Sequence, residues 1–196
     1  MKRSRWVERI PEVVMHEARI GVIYNMAPQP PFEKDTAWFP AGAITIGVEF
    51  RDVNPEDLLA LYADDPAQLK EMLEKSPDGG FADNGVSLHV RDSSDGHEYL
   101  RFDCFDNEPH YHYIHNSTDP YVNNVVVYDP FACGDMLSFS IGCLRTRLGE
   151  MLPRAGAVEL ATKIDGPLVN RVVDEVAAVA AHALANVRRL RTATAS

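Results

Sequence analysis

Residues 85–115, GVSLHVRDSSDGHEYLRFDCFDNEPHYHYIH, decide the fold. Apolar side chains recur at every second position, the period of a strand with one face in a core. Val86, Leu88 and Val90 form one such set; Leu100, Phe102 and Cys104 form another. Putting both sets on a common face pairs Val90 with Leu100, Leu88 with Phe102 and Val86 with Cys104. The residues left between them are Ser94-Asp95-Gly96, a three-residue hairpin loop with glycine where the left-handed conformation falls. The opposite face then sets Ser87 against Asp103, His89 against Arg101 and Arg91 against Tyr99.

The next turn extends the pattern. A two-residue loop, Asp106-Asn107, pairs Phe102 with Tyr111 and Leu100 with Tyr113, which keeps the aromatic rings on the core face. It also sets Asp103 opposite His110 and Arg101 opposite His112. A three-residue loop would slip the register by one and turn both histidines against Phe102, where unpartnered imidazoles are costly. The two-residue register is therefore preferred.

One sheet face now reads Ser87, Asp103 and His110 in one row, and His89, Arg101 and His112 in the next. Directly opposed Cβ atoms start about 5 Å apart, and residues two apart on a strand about 6.6 Å apart. At that spacing the imidazoles of His110 and His112 can converge on one divalent ion, with Asp103 completing a two-histidine, one-carboxylate set and His89 as an extra ligand. His115 has the wrong parity and would need a bulge to join. The same groups also make a metal-free site, with Asp103 orienting His110 as general base and Arg101 holding an anion. Ser87 would complete a Ser-His-Asp set, but nothing suggests a strained elbow or an oxyanion hole. Against these stands a purely structural reading, a wet face of surface ion pairs. Arg101 in its middle would repel a cation unless Asp103 or Glu98 neutralised it. The sequence leaves the three readings open.

On the N-terminal side, Ile44, Ile46, Val48 and Phe50 alternate with Thr45, Gly47, Glu49 and Arg51, the mark of a half-buried strand. Residues 13–24 read as an interrupted strand. Four prolines between Asn25 and Ala41 predict a long ordered loop without regular structure, pinned by Phe32, Trp38 and Phe39 and placed to wall a pocket. Asn54-Pro55 and Asp65-Pro66 each set a capping side chain before proline, predicting helices near 55–63 and 66–75. Leu69, Met72 and Leu73 would be the buried stripe of the second. The turn Ser76-Pro77-Asp78-Gly79-Gly80 closes this section.

On the C-terminal side a strand is expected near 121–128, and Asp129 to Asp135 reads as a turn and helix start. Leu137, Ile141, Leu144, Leu148 and Leu152 then share one face of a single helix ended by Pro153 and Gly156. A short helix near 157–164 precedes a long one over 167–190, capped by Asp165. Its stripe is Leu168, Val169, Val172, Val176, Val179, Ala183, Val187 and Leu190. Strands in a run followed by helices in a run predict one α+β domain over 1–196, with a mostly antiparallel sheet, helices packed on one face and a long C-terminal helix. Residues 1–12 and 192–196 are expected to be loosely held.

A net charge of −10 repels a phosphate backbone and disfavours nucleic acid as a partner. Basic residues gather at the two ends, at Lys2, Arg3 and Arg5 and at Arg188, Arg189 and Arg191, and read as solvated termini. Cys104, Cys133 and Cys143 show no C-x-x-C spacing and read as small core residues. No secretory signal or membrane span is visible, and the cytoplasm is the expected compartment. His16, His97 and His182 are isolated. There is no dinucleotide fingerprint, Walker motif, nucleophile elbow or H-E-x-x-H.

The segment Arg101-Phe102-Asp103 … Pro109-His110-Tyr111-His112 resembles the "RYD…PHxH" hairpin of TumE-type toxins of bacterial toxin–antitoxin pairs. The resemblance covers about a dozen residues. It implies that Asp103, His110 and His112 belong to a working site acting on RNA. The chain is longer than such toxins, and its acidic balance does not suit that substrate. In other respects it looks like an uncharacterised bacterial protein. Three functions are thus weighed: a small cytoplasmic enzyme with a His/Asp site on the polar sheet face, with or without a divalent metal; a non-catalytic subunit or homo-oligomer using the C-terminal helix; and a toxin-like nuclease. The substrate and reaction are not specified by the sequence.

Overall fold

Period-two patterning builds the sheet. A computed structural model describes residues 20–76, 80–117 and 122–194, with side chains to residue 186. The chain runs β1 (Val22–Tyr24), β2 (Ala37–Ala41), β3 (Ile44–Val53), α1 (Pro55–Leu61), α2 (Pro66–Lys75), β4 (Asp83–Asp92), β5 (Glu98–Phe105), β6 (His110–Ile114) and β7 (Asn123–Val127). Helices α3 (Pro130–Cys133), α4 (Met136–Thr146), α5 (Leu148–Arg154), α6 (Val158–Ala161) and α7 (Gly166–Thr194) follow. The strands form one seven-stranded antiparallel sheet in the order β1-β7-β6-β5-β4-β3-β2. The fold is α+β with a long C-terminal helix. No described helix is long and apolar enough to cross a membrane. The expectations for residues 1–12, for 13–19 of the first strand, for His16, for the basic end clusters, for the tail and for the turn at 77–79 lie outside the described residues or side chains.

The hairpin registers are as the pattern dictates. Val90, Leu88 and Val86 face Leu100, Phe102 and Cys104; Ser87 and His89 face Asp103 and Arg101. Gly96 in the first loop has φ +78, which glycine tolerates and other residues rarely adopt. Across the next turn Phe102 faces Tyr111, Asp103 faces His110 and Arg101 faces His112. Pairing there stops at His110, so the connection is longer than the two residues expected. Asp83 holds it by accepting from the backbone N–H groups of Asn107 and Glu108.

One pairing differs. A bulge after Val90 sets Arg91 opposite Glu98 rather than Tyr99. Without it, Glu98 would share the apolar face with Leu100. The extra residue turns Glu98 onto the polar face and leaves Tyr99 against the core.

The apolar face packs on α4, α5 and α7. Ile44, Ile46, Leu88, Leu100 and Phe102 are fully buried there, against Leu144, Leu152, Val169, Val173 and Val176. Each such side chain contributes about 1.5–3 kcal/mol of apolar burial. The expected single helix over 137–152 is broken at Arg147, yet its stripe continues across the break because both pieces rest on the same sheet. On α7 Val169 and Val176 of the expected stripe are buried, with Val172 and Ala183 packed against the core; Val173 and Ala180 join them, Val179 is exposed, and Val187 and Leu190 lie outside the described side chains. Leu73 and Cys133 are also exposed rather than buried, each lying on the outer side of its helix.

The proline-rich segment contains more structure than expected. β2 is an edge strand, and Pro40 is tolerated because the outer side of an edge needs no donor. Trp38 of β2 lies over Gly47, where a Cβ would come within 2.5 Å of the indole. Residues 26–38, with α1 and α2, form a second layer over the polar face. Met26, Tyr62 and Met72 are its buried centre, and the Tyr62 hydroxyl donates to the Ala27 carbonyl at 2.8 Å. β3 is therefore covered on both faces rather than half-buried: Thr45, Glu49 and Arg51 are all buried.

Candidate metal centre

Strand parity places the polar side chains, and the second layer takes them out of water. Ser87, His89, Arg101, Asp103 and His112 are each at most 6% exposed. Charges so placed persist only when paired. The pairing divides into two groups.

The first group centres on Asp103. Its Oδ2 lies 3.0 Å from His112 Nε2 and 3.3 Å from His110 Nε2. Its Oδ1 accepts from the Ser87 hydroxyl. Both imidazoles are fixed from behind: His110 Nδ1 lies 2.6 Å from the Glu108 carbonyl, and His112 Nδ1 lies 3.0 Å from Asn123 Oδ1. Without an ion each Nε2 carries the proton that bonds Asp103; an ion in that proton's place would meet the Nε2 lone pair, with Nδ1 donating to its oxygen. That is the outer-shell arrangement of metal-ligating histidines. One ligand atom from each of Asp103, His110 and His112 can be drawn within 4.8 Å of the others. Metal–ligand bonds of ~2.0–2.2 Å put neighbouring ligands ~3–3.5 Å apart, close to the two separations to Oδ2.

The second group surrounds His89. Its Nδ1 lies 2.6 Å from Glu98 Oε1 and its Nε2 3.1 Å from Glu49 Oε2. Glu98, delivered by the bulge, also takes Arg101 through two parallel hydrogen bonds, of 2.9 Å to Nε and 2.5 Å to Nη2. His89 is thus held by carboxylates on both sides and stands apart from the three converging residues. Arg101 is neutralised by Glu98, one of the two partners the sequence offered.

Proton affinities follow these partners. Burial opposes the charge of Asp103, but the hydrogen bonds of His110 and His112 hold its carboxyl well below the usual carboxylate range. Burial likewise disfavours charged His110, but contact with Asp103 raises its pKa. For His112 burial wins and the pKa falls. His89 is raised because Glu98 and Glu49 outweigh its burial. Glu98 is lowered because Arg101 and His89 outweigh its own.

Asp103, His110 and His112 line a cavity of about 280 Å³, with Arg51 and Arg101 also in its wall. The wall elsewhere is mainly apolar, from Tyr24, Met26, Val53, Tyr62, Phe81 and Phe105. As expected, the proline-rich segment forms part of it, through Pro28 and Gln29. His115 does not join the site: it lies beside Gly156 at the helical layer. His182 is exposed on α7.

Sequence reasoning missed Glu49, Arg51, Asn123 and Gln29. The signal for Glu49 and Arg51 was their parity: they share a face with Gly47, which pairs with His89. For Asn123 it was the alignment of Val126 with Tyr111, which turns Val125 and Asn123 to the polar side.

Neither curated proteins nor solved structures match the chain. A family model described as a domain of unknown function (DUF7700) matches residues 38–180, a span holding every charged residue of both groups. By that match, which covers most of its length, the chain belongs to the DUF7700 family of unknown function.

Proposed function

We propose that Asp103, His110 and His112 hold one divalent metal ion at the wall of the cavity, and that the protein is an enzyme acting on a small molecule there. The observation that carries this reading is the position of Asp103 Oδ2 between two Nε2 atoms whose rings are each fixed through Nδ1. Three protein ligands leave coordination positions open, so an ion would supply a Lewis acid to a substrate oxygen. The cavity volume lies just below the ~300–1,000 Å³ of small-molecule sites. His89 is the fourth metal candidate from the sequence, and its engagement by Glu49 and Glu98 favours a supporting role: orienting Glu98, and through it Arg101.

The raised proton affinity of His110 supports a second reading, with Asp103 orienting His110 as an acid–base group and Arg101 facing an anion, without metal. The likeness to TumE-type hairpins supports the same three residues, while the small, largely apolar cavity favours a small molecule over RNA. A subunit role through α7 has less support, since its sheet-facing stripe is already buried.

Zinc titration into chelator-treated full-length protein, followed by melting temperature, tests the proposal. Bound metal stabilises the folded state by mass action, about 2.7 kcal/mol at a hundredfold excess over Kd. The rise should vanish in Asp103→Asn. A melting temperature indifferent to zinc, cobalt and ferrous iron would favour the metal-free reading.

A further inference from the structure

Arg51 is the described cation of the polar face whose hydrogen bonds do not end on a carboxylate. Its Nη2 donates to two oxygens of Gln29, the side-chain Oε1 at 2.7 Å and the carbonyl at 3.3 Å. Glu49 Oε2 lies 4.0 Å from its Nε, and that buried Nε has no hydrogen-bond acceptor among the described residues. Other cations in the cavity wall are matched: Arg101 by Glu98, Lys75 by Glu71. Arg51 is only 3% exposed, yet it lines the same cavity as Asp103, His110 and His112. A buried guanidinium with a spare donor is costly in isolation. Nη2 is taken by Gln29 and Nε is enclosed, so an entering anion is met at Nη1, and the planar fork matches two of its oxygens once Gln29 gives up Nη2. Among the described residues the carboxylates in the wall are Asp103, already engaged by both histidines, and Glu108. Tyr24, Met26, Tyr62 and Phe81 give part of the wall an apolar surface that a free inorganic ion would not use.

We propose that the cavity binds a small monocarboxylate with a short apolar tail, its carboxylate on Arg51 and its tail along Tyr24, Met26, Tyr62 and Phe81. The proposal names the substrate class for the metal reading above and rests on it for chemistry, though not for binding.

Calorimetric titration of the full chain, zinc-loaded and chelator-treated, with acetate, hexanoate, hexan-1-ol and inorganic phosphate tests it. Hexanoate should bind at least about tenfold more tightly than hexanol, the factor expected of a charge-assisted hydrogen bond, and more tightly than acetate or phosphate. Arg51→Gln should remove the preference for hexanoate over hexanol, and Arg51→Lys should restore part of it. Because a change at Arg51 can disturb folding, Val125→Trp, which fills the cavity from β7, provides a second arm and should abolish hexanoate binding. Equal binding of hexanoate and hexanol, tighter binding of phosphate, or hexanoate affinity unchanged in Val125→Trp would overturn the proposal. Metal content measured on the same samples separates the two readings. Arg51-dependent hexanoate binding without metal uptake would sink the metal centre alone; one ion per chain with no preference for hexanoate would sink the carboxylate site alone.

Discussion

Asp103 shows how one buried carboxylate can be held ionised: a hydroxyl on Oδ1 and two imidazoles on Oδ2 replace the water it loses. His89 shows the converse, an imidazole held between two carboxylates. Its raised pKa fixes the sign of a pH effect. The stabilisation is fully present below the unfolded histidine pKa of ~6.5 and is lost as pH rises through the folded value. His89→Gln should therefore cost most in mildly acidic solution and progressively less in alkali, as read by urea denaturation across pH. A cost independent of pH would show that the ring is held neutral. Glu98 and Asp103 act oppositely: their depressed pKa values stabilise above ~4 and that contribution fades as pH falls. The convergence of Asp103, His110 and His112 was legible in the sequence because one register satisfied both the aromatic core and the polar face. The burial of Glu49 and Arg51 was not, since charged residues are seldom fully buried and on a single strand read as solvated.

Among the elements, β4 and β5 were legible because their apolar sets and their glycine loop agree. The bulge at Tyr99 was not, since nothing in the local alternation marks an inserted residue, yet it delivers Glu98 to His89 and Arg101. β2 was hidden by Pro40, which reads as a break and is tolerated at an edge. The contact of Trp38 with Gly47 gives a test of the second layer: Gly47→Ala should destabilise by about 1–3 kcal/mol through overpacking, measured by chemical denaturation. A neutral result would mean that Trp38 is free to move from its place over β3. At the start of α7, the Asp165 side chain accepts from the Leu168 N–H at 3.0 Å. Asp165→Ala should cost about 1 kcal/mol, the usual loss of an N-cap.

For the whole molecule, the sheet separates two unlike interiors. One is an ordinary apolar core under α4, α5 and α7; Phe102→Ala there should cost about 3–5 kcal/mol in the same denaturation measurement. The other is a network of buried charges under residues 26–38, α1 and α2, opening on a cavity. Such a network is weak support for stability, since well-packed apolar residues do as well or better; this favours a functional reason for it. Elemental analysis of the purified chain after reloading with zinc and gel filtration tests that reason most directly, with His112→Ala and the exposed-site control His182→Ala treated alike. The account predicts one ion per chain in the parent and in His182→Ala, and essentially none in His112→Ala. Metal retained equally by all three proteins, or by none, would contradict it.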